Sequence, residues 1–483
     1  MDFEIVIGFE VHTELKTKTK VWCSCPNEFG GSPNSHVCPV CLGMPGSLPV
    51  LNREAFTLAL KTALALQCDV PQITTFDRKN YYYPDLPKNY QISQNDKFLG
   101  KGGYLEIDLG EAGHKKIRID NIHLEEDAGK NIHPEDKNVT YSLVDLNRAG
   151  VPLLEIVTQP DIRSKEEAAA FMTQMRNFLQ YLDVSDCKMQ EGSLRFELNM
   201  SLREKGSEKF GQKVEVKNLN SMSVVLKCID AEFDRQSEML RNGERVLSET
   251  RLWDEARNET RAMRSKERAN DYRYFPDPDL VDVEVTPEIR AAAQRTIPEL
   301  PLARRRRFEE QYGLPPYDAN VLTASINTAN YFEKAVEAHP SPKGISNWVM
   351  TEGLAWLNKQ PEDTTIDAFP VTAQSIAELV KLIDTGAITG KIAKQVFPIM
   401  LETGKRPGVI VEEKGLKPVD DSALDPIIDE VLADPRNEKT IADLRGGKAA
   451  AIGALMGAVM KKSGGKANPQ TVTPLIRKKL GLE

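Results

Sequence analysis

Five stretches of this chain alternate apolar and polar side chains with a period of two, and this pattern constrains the fold more than any other feature. They are residues 3–14, 116–127, 153–158, 194–203 and 214–217. Successive side chains of a β-strand point to opposite faces of the sheet, so each stretch predicts a strand with one apolar and one polar face.

The polar faces of these predicted strands all carry acidic side chains. The polar residues are Glu10, His12 and Glu14; His123, Glu125 and Asp127; Glu155; Arg195 and Glu197; and Glu215 with Lys217. One interpretation is the water-facing side of an antiparallel sheet. Glu155 favours a second interpretation, in which these acids hold a cation. It lies between Leu154 and Ile156, where a buried unpaired carboxylate would be costly. Several carboxylates with one imidazole suit a hard divalent cation such as Mg²⁺.

Four cysteines in one short segment predict a second metal site. Cys23 and Cys25 form a C-x-C pair, and Cys38 and Cys41 form a C-x₂-C pair twelve residues later. Two such knuckles can hold one tetrahedral Zn²⁺ with no open coordination position, so we expect a structural zinc in an insert at residues 23–41. The alternatives are reduced, buried cysteines and His36 as a substitute ligand.

Helical patterns begin after a proline-containing boundary at residues 297–301. Apolar residues recur at helical spacing at positions 376, 379, 380 and 383, and again at 452, 455, 456 and 459. Pro407-Gly408 is typical of a loop, and Asp425-Pro426 is typical of a helix start.

These patterns predict an α+β fold with three domains. We expect a large mixed, mainly antiparallel-sheet domain at residues 1–292, a helical domain at 293–407 and a small basic helical tail at 408–483. The net charge of −8 argues mildly against nucleic-acid binding, but residues 440–483 carry eight Lys or Arg against two acids, a local charge of +6. A polyanion responds to such a local charge. The alternative is that these lysines only keep a tail in solution.

Several absent motifs narrow the possible chemistry. The sequence has no G-x-x-x-x-G-K-[ST] loop, so any nucleotide use lies outside the P-loop class. It has no nucleophile motif of a self-contained hydrolase. The seven cysteines, an odd number, and a start without the character of a secretory signal predict a cytoplasmic location.

The motif DLNRAGVPLLEIV at residues 145–157 resembles the B subunit of the aspartyl/glutamyl-tRNA(Asn/Gln) amidotransferases. Further motifs of that family match residues 8–12, 77–85, 91–94, 123–130, 191–195, 217–221, 271–277 and 466–469. The resemblance covers most of the chain. It implies a cradle domain with kinase and transamidase activity, followed by a helical and a tail domain, and it implies a ligase that forms carbon–nitrogen bonds with glutamine as amido donor.

The resemblance also implies site residues, cofactors and partners. The magnesium positions of the family map to His12, Glu125, Glu155, Glu197 and Glu215, with Glu10 nearby, and its ammonia route maps to Lys79, Lys88 and Glu126. The implied partners are the amidase-type A subunit, which is a glutaminase, the small C subunit of a heterotrimer, misacylated tRNA(Gln) or tRNA(Asn), and a non-discriminating aminoacyl-tRNA synthetase.

We therefore expect ATP to phosphorylate the side-chain carboxylate of Glu-tRNA or Asp-tRNA before ammonia attacks it. Arg195 and Lys217 could contact the phosphates of ATP, or could simply form ion pairs with Glu197 and Glu215. The tail would contact tRNA through phosphate-binding side chains. These are Arg445, Lys448, Lys461, Lys462, Lys466 and Arg477 to Lys479. Two other functions fit the same features, a metal-dependent RNA phosphotransferase or nuclease and a non-catalytic tRNA-binding adapter.

Overall fold

The fold is taken from a computed structural model that describes residues 2–132, 134, 140–265, 271–361, 364–416, 421–463, 467 and 469–482. The chain divides into two compact units, Met1–Ala303 and Arg304–Glu483. In the described ranges, no helix is both long enough and apolar enough to cross a bilayer.

The first unit is built on a mixed sheet. Its strands are β1 Phe3–Glu14, β2 Ile73–Thr74, β3 Asp77–Asn80, β4 Tyr90–Ser93, β5 Gly100–Lys101, β6 Tyr104–Asp108, β7 His114–Glu126, β8 Lys130–Ile132, β9 Leu143–Asp145, β10 Pro152–Thr158, β11 Leu194–Glu204, β12 Val214–Lys217, β13 Glu249–Asp254, β14 Glu259–Ser265, β15 Phe275–Pro276 and β16 Val283–Glu284. The largest sheet has the order β14-β13-β12-β11-β1-β10-β7-β5, with β6 also paired to β7. Its described pairs are antiparallel except for β12 with β13.

Helices cover the apolar face of this sheet. They are α1 Arg53–Ala65, α2 Lys165–Tyr181 and α3 Met222–Arg241. A further helix, α4 Pro287–Arg295, packs against α1, and a 3₁₀ turn lies at Gly110–Ala112. Phe9 of β1 stacks on Phe171 of α2, with ring centroids 5.5 Å apart. Because Phe9 and Val11 point into this core, Glu10 and His12 must point to the opposite face. The alternating patterns predicted the strands β1, β7, β10, β11 and β12. The helices α1, α2 and α3 were not predicted.

The second unit contains helices and no described strand. Its segments, from the boundary onward, are α5 Pro301–Tyr312, α6 Pro316–Leu322, α7 Ile326–Ala338, α8 Pro342–Trp348, a π-helical turn Val349–Gly353, α9 Leu354–Leu357, a 3₁₀ turn Ile366–Ala368, α10 Ala373–Asp384, α11 Gly390–Thr403, α12 Pro407–Lys414, α13 Asp421–Leu432, a 3₁₀ turn Pro435–Asn437, α14 Glu438–Arg445, a 3₁₀ turn Ala449–Ala451, α15 Ile452–Lys462 and α16 Pro469–Leu480. The two predicted apolar stripes lie on α10 and α15, as expected.

Two local predictions for this unit are wrong. Pro407-Gly408 is not a loop, because Pro407 is the first residue of α12. Proline is tolerated there, since the backbone N–H of a first helical residue makes no hydrogen bond within the helix. Pro426 does not begin a helix, because α13 starts at Asp421 and contains Pro426 in its interior.

The α+β class is confirmed, and the described residues form three separate apolar cores. The first extends from Phe3 to Ala293, the second from Phe308 to Ile410 and the third from Leu424 to Ile476. Because Ile410 of α12 belongs to the second core, that core continues past residue 407. The division into domains at 1–292, 293–407 and 408–483 remains a prediction.

Candidate active site

A row of polar side chains crosses the sheet on the face opposite to the helices. The register of β1 places His12 opposite Glu155 of β10 on one side and opposite Arg195 of β11 on the other. The register of β10 with β7 places Glu155 opposite His123. Arg195, His12, Glu155 and His123 therefore follow one another across four adjacent strands.

The first acidic group contains His12, Glu125 and Glu155, and we call it the histidine group. Its candidate ligand atoms all lie within 4.8 Å of one another. Nε2 of His12 lies 3.3 Å from Oε2 of Glu155. Nε2 of His123 lies 3.1 Å from the same oxygen and 3.7 Å from Oε2 of Glu125. His123 thus joins the two carboxylates of the group.

These contacts control the protonation of both histidines. Burial alone would lower the pKa of His12, but the negative charge of Glu155 outweighs it and raises the pKa to about 9. Burial also opposes the charged form of His123, yet Glu155 and Glu125 raise its pKa to about 10. Burial would raise the pKa of Glu155, but the two imidazolium charges hold it well below its usual value.

The second acidic group contains Glu10, Glu197 and Glu215, and we call it the glutamate group. Its carboxylate oxygens also lie within 4.8 Å of one another. Nζ of Lys217 lies 2.6 Å from Glu197 and 3.0 Å from Glu215. Burial, followed by repulsion from Glu155 and Glu197, raises the pKa of Glu10. The predicted magnesium ligands are therefore divided between two neighbouring groups, and which of them share a cation remains a prediction.

The residues of both groups fit a hard cation. They offer carboxylate oxygens and one imidazole, which is a donor set suited to Mg²⁺. Each group also contains or contacts a buried polar atom that has no hydrogen-bond partner among the described residues. These atoms are Nδ1 of His12 and Oδ1 of Asn199. Asn199 lies next to the glutamate group, where its amide nitrogen donates to Glu10 at 3.0 Å.

Arg195 has a different partner from the one expected. Its Nη2 lies 2.8 Å from Oδ2 of Asp127, whereas Glu197 was the ion-pair partner considered from the sequence. Arg148 is also near Asp127, at 3.6 Å. Burial and the charge of Asp127 raise the pKa of Glu14 to about 8. Lys217 therefore forms the ion pairs with Glu197 and Glu215 that were considered from the sequence. Arg195 instead belongs to a separate cluster with Asp127 at the end of the row.

The three predicted ammonia-route residues lie in two places. Lys88 forms an ion pair with Glu126, and the backbone N–H of Ile92 donates to Oε1 of Glu126 at 2.8 Å. Lys79 instead lies near Glu125, with its Nζ 5.0 Å from the ring centroid of Tyr272. Burial would lower the pKa of Lys79, but Glu125 outweighs it and raises the pKa, so Lys79 stays charged.

The four cysteines lie close enough together to hold one zinc ion. The four Sγ atoms of Cys23, Cys25, Cys38 and Cys41 lie within 4.8 Å of one another, and those of Cys38 and Cys41 are 3.9 Å apart. Zinc–sulfur bonds of ~2.3 Å require sulfur–sulfur distances of about 3.8 Å in a tetrahedron. A hydrogen bond from Cys23 is the main cause that lowers the pKa of Cys41 to about 5, and the buried Lys20 favours the thiolate further.

Sequence reasoning left out several residues that the structure places at the site. The period-two alternation places His123 and Asp127 on the same strand face as Glu125. The sequence therefore pointed to both residues, but neither was assigned a role. Asn199 likewise shares a strand face with Glu197 but was assigned no role, whereas Tyr272 gave no such signal, because its position depends on which segments become neighbours.

Comparisons with known proteins first define the class of protein. The profile of the GatB/GatE catalytic domain matches residues 5–291, and that of the GatB domain matches residues 330–480. The sheet with its acidic groups is therefore a catalytic domain of the GatB/GatE class.

Curated relatives then identify the particular family. Proteins described as the B subunit of aspartyl/glutamyl-tRNA(Asn/Gln) amidotransferase are 52% identical in Carboxydothermus hydrogenoformans, 51% in Moorella thermoacetica and 49% in Persephonella marina. Each match covers 99% of this chain and at least 99% of the relative. The chain belongs to the family of B subunits of aspartyl/glutamyl-tRNA(Asn/Gln) amidotransferase, a ligase that forms carbon–nitrogen bonds. The resemblance inferred from the motifs is confirmed.

Proposed function

We propose that this chain provides the ATP-dependent site that amidates Glu-tRNA(Gln), Asp-tRNA(Asn) or both. The observation that carries the proposal is the row of His12, Glu155 and His123 beside the glutamate group. This is a concentration of largely buried acidic side chains whose negative charge a divalent cation would balance, and such a cation can in turn bind the phosphates of ATP. The names of the relatives support the substrate class, and the sheet supports the location of the reaction.

The proposed reaction has two steps. A carboxylate resists ammonia because its leaving group would be oxide. One carboxylate oxygen of the aminoacyl side chain therefore attacks the γ-phosphorus of ATP, giving an acyl phosphate and ADP. Ammonia then attacks the acyl carbon, phosphate leaves with the bonding electrons, and the nitrogen loses a proton to give the amide.

The two acidic groups would hold the magnesium that this reaction needs. His12, Glu125 and Glu155, with Glu10, Glu197 and Glu215, are the proposed ligands. When bound, Mg²⁺ would neutralise the charge that develops on the phosphate oxygens. Lys217, with 40% of its side chain exposed, can turn from Glu197 towards a phosphate. Arg195, at the β11 end of the row, offers a second positive charge.

Lys88 and Glu126 are proposed to serve the ammonia step. They lie beside a partly enclosed cavity of about 130 Å³. Burial raises the pKa of Glu126, and the charge of Lys88 partly opposes this, so the carboxylate is able to take up a proton. A route that excludes bulk water would keep ammonia unprotonated and protect the acyl phosphate from hydrolysis. Lys79 would hold a fixed positive charge on the opposite face, near Glu125.

The tail is proposed to bind the tRNA backbone. The described candidates Arg445, Lys448, Lys461, Lys462, Arg477 and Lys478 are exposed. Several pair with acids of the same unit. Lys448 lies 2.9 Å from Asp443, and the partly exposed Lys479 lies 2.7 Å from Asp429. Lys466 lies outside the described residues.

The remaining partners and cofactors follow from the family. We propose a heterotrimer that this chain forms with the glutaminase, which is the A subunit, and with the small C subunit. We also propose contact with a non-discriminating aminoacyl-tRNA synthetase and a structural zinc on the four cysteines. A cytoplasmic location is proposed because aminoacyl-tRNA is made and used there.

The decisive experiment supplies the assembled complex with Glu-tRNA, ATP, Mg²⁺ and glutamine. We expect Gln-tRNA from the wild-type complex. Glu155→Gln should lower the ATP hydrolysis that depends on charged tRNA by about 100-fold or more, the range seen when one group that stabilises transition-state charge is removed. Its affinity for tRNA should be unchanged. Glu166→Gln, on the exposed surface of α2, is the matched control.

Two outcomes would support the alternatives. Cleavage of the RNA instead of conversion of its amino acid would indicate a nuclease. Wild-type tRNA binding without ATP hydrolysis or amide formation would indicate an adapter.

A further inference from the structure

The cysteine segment touches the ion pair of Lys88 and Glu126 directly. The turn that follows Cys38, residues 38–44, is here called the second knuckle. Gly43 lies at its end and has no side chain between its backbone and Lys88. A Cβ atom at Gly43 would lie 2.5 Å from Cγ and 3.1 Å from Cα of Lys88. Such distances are impossible without movement, so the aliphatic part of Lys88 packs against the knuckle itself.

The position of Gly43 depends on the turn that presents the cysteines. Within the second knuckle, the N–H of Leu42 donates to the carbonyl of Cys38 at 3.0 Å and the N–H of Gly43 donates to that of Val40 at 3.0 Å. The N–H of Cys38 donates to Sγ of Cys41 at 3.1 Å. Because Gly43 is only two residues from Cys41, whatever holds that sulfur in place also holds Gly43.

The partly enclosed cavity beside Lys88 and Glu126 connects the same two features. Cys23, Cys41 and Gly43 line it together with Lys88 and Glu126. A Cβ atom on Gly150 would lie 3.6 Å from Cβ of Cys41 and 3.9 Å from Oε2 of Glu126. The backbone at Gly150 therefore lies between Cys41 of the cysteine cluster and the carboxylate of Glu126, close to both.

Apolar packing alone holds this segment weakly. Met44, Leu48 and Val50 expose 50%, 62% and 72% of their surface. Cys25 and Cys41 are buried, but they are small. We expect a segment that buries so little apolar surface to be more ordered when its cysteines hold a metal than when they do not.

We propose that the four cysteines, by holding a metal, position Lys88 against Glu126 and so couple metal loading to ammonia transfer. The inference rests on the role proposed above for this ion pair. It goes further than a structural zinc, because it makes the second knuckle one wall of the route.

The first test needs only the full-length chain and reports on position instead of activity. Amide hydrogen exchange is measured with zinc bound and after removal of zinc by a chelator. We expect the amide of Ile92, which donates to Glu126, to exchange at least tenfold faster without zinc, while Val225 in α3 is unchanged. Equal exchange at Ile92 in both states would overturn the proposal, whatever the enzyme does.

The second test uses two glycines of the same segment. Gly43 has φ +65° and Gly46 has φ +83°, so alanine strains the backbone at both positions, but a Cβ at Gly46 meets no atom within 4 Å. In the assembled complex, Gly43→Ala should lower glutamine-dependent amide formation at least tenfold. Zinc content and charged-tRNA-dependent ATP hydrolysis should be retained. Gly46→Ala should resemble the wild type.

The outcomes separate this inference from the proposed function. Equal amide formation by Gly43→Ala and Gly46→Ala would overturn the coupling. If the wild-type complex forms no amide although zinc controls exchange at Ile92, the proposed function fails and the contact between knuckle and ion pair stands. Should Gly43→Ala lose its zinc or fail to fold, the exchange measurement on the wild-type chain decides the matter.

Discussion

His123 holds Glu155 in place from the adjacent strand. Nε2 of His123 lies 3.1 Å from Oε2 of Glu155, and its Nδ1 lies 2.9 Å from the side-chain oxygen of Asn121. The imidazole is therefore fixed at both ends. Partners that orient a metal ligand in this way contribute substantially to metal affinity.

The first prediction concerns this orienting contact. His123→Ala should weaken the binding of Mg²⁺, or of Mn²⁺ as its probe, by about 10- to 100-fold, the usual effect of removing a residue that orients a ligand. His114→Ala on the exposed part of the same strand is the control. Titration calorimetry or Mn²⁺ electron paramagnetic resonance measures the affinity. An unchanged affinity would show that Glu155 needs no support from β7.

The second prediction is a pH dependence of metal binding. Although burial opposes it, the charge of Glu155 raises the pKa of His12 to about 9, so His12 is protonated at neutral pH without a metal. A cation needs the neutral imidazole, and binding must release that proton. Affinity should therefore rise about tenfold per pH unit below pH 9 and level off above it. Calorimetry in two buffers of different ionisation enthalpy counts the protons, and His12→Gln should lower the count by the proton that His12 releases.

The third prediction concerns the tyrosine beside Lys79. The ammonium group lies 5.0 Å from the ring of Tyr272, within the range of a cation–π contact of roughly 0.5–2 kcal/mol. Tyr272→Leu should reduce the rate of amide formation by about 2- to 30-fold, whereas Tyr272→Phe, which keeps the ring, should stay close to the wild type. If both variants behave alike, the hydroxyl or the backbone matters and the ring does not.

The fourth prediction is a pH-dependent stability centred on Glu232. This fully buried carboxylate accepts hydrogen bonds from Arg235 at 2.9 and 2.8 Å. Burial would raise its pKa, but Arg235 outweighs this and lowers it. Its contribution to stability is therefore present above pH 4.5 and is lost as the pH falls through the lower folded value.

Glu232→Gln should accordingly lower the free energy of unfolding of the first unit by about 3–5 kcal/mol at pH 7, because it leaves Arg235 without its buried counter-charge. The difference from the wild type should shrink below pH 4. Urea unfolding followed by the fluorescence of the buried Trp253 provides the measurement. A difference that is the same at pH 7 and pH 3.5 would contradict the assignment.

The fifth prediction tests the basic tail. The double substitution Arg477→Gln and Lys478→Gln should weaken tRNA binding and reduce the slope of log affinity against log salt by about 2, one for each lost phosphate contact. Arg436→Gln is the control, since Arg436 forms an ion pair with Asp434 at 2.7 Å in the same unit. Binding is measured by filter retention between 50 and 200 mM salt, a range over which phosphate contacts have a large effect.

The period-two patterns predicted which residues share a face, and the structure agrees for each of the five strands. They could not predict which strands become neighbours. His12 meets Glu155 only because β10 pairs with one edge of β1. Glu197 meets Glu10 only because β11 pairs with the other edge of β1. A periodicity is a local property, whereas pairing depends on contacts between residues far apart in the chain.

The helices were missed for a different reason. In α2, Ala168, Phe171, Met172 and Met175 are buried at helical spacing, so the signal was present in the sequence. The strong strand patterns on either side led to an interpretation of the whole region as strands and loops. The proximity of the four cysteines was easier to predict, because side chains at such short spacing depend little on the rest of the fold. The zinc itself remains a prediction.

The central place of β1 has a consequence for biosynthesis. β1 is translated before both of its partners, β10 and β11, which follow it by more than a hundred residues. A ribosome-bound fragment that stops before β12 has His12 and Glu155 but lacks Glu215. The set of acidic ligands proposed above is therefore complete only after Glu215, when nearly half of this sequence has been translated.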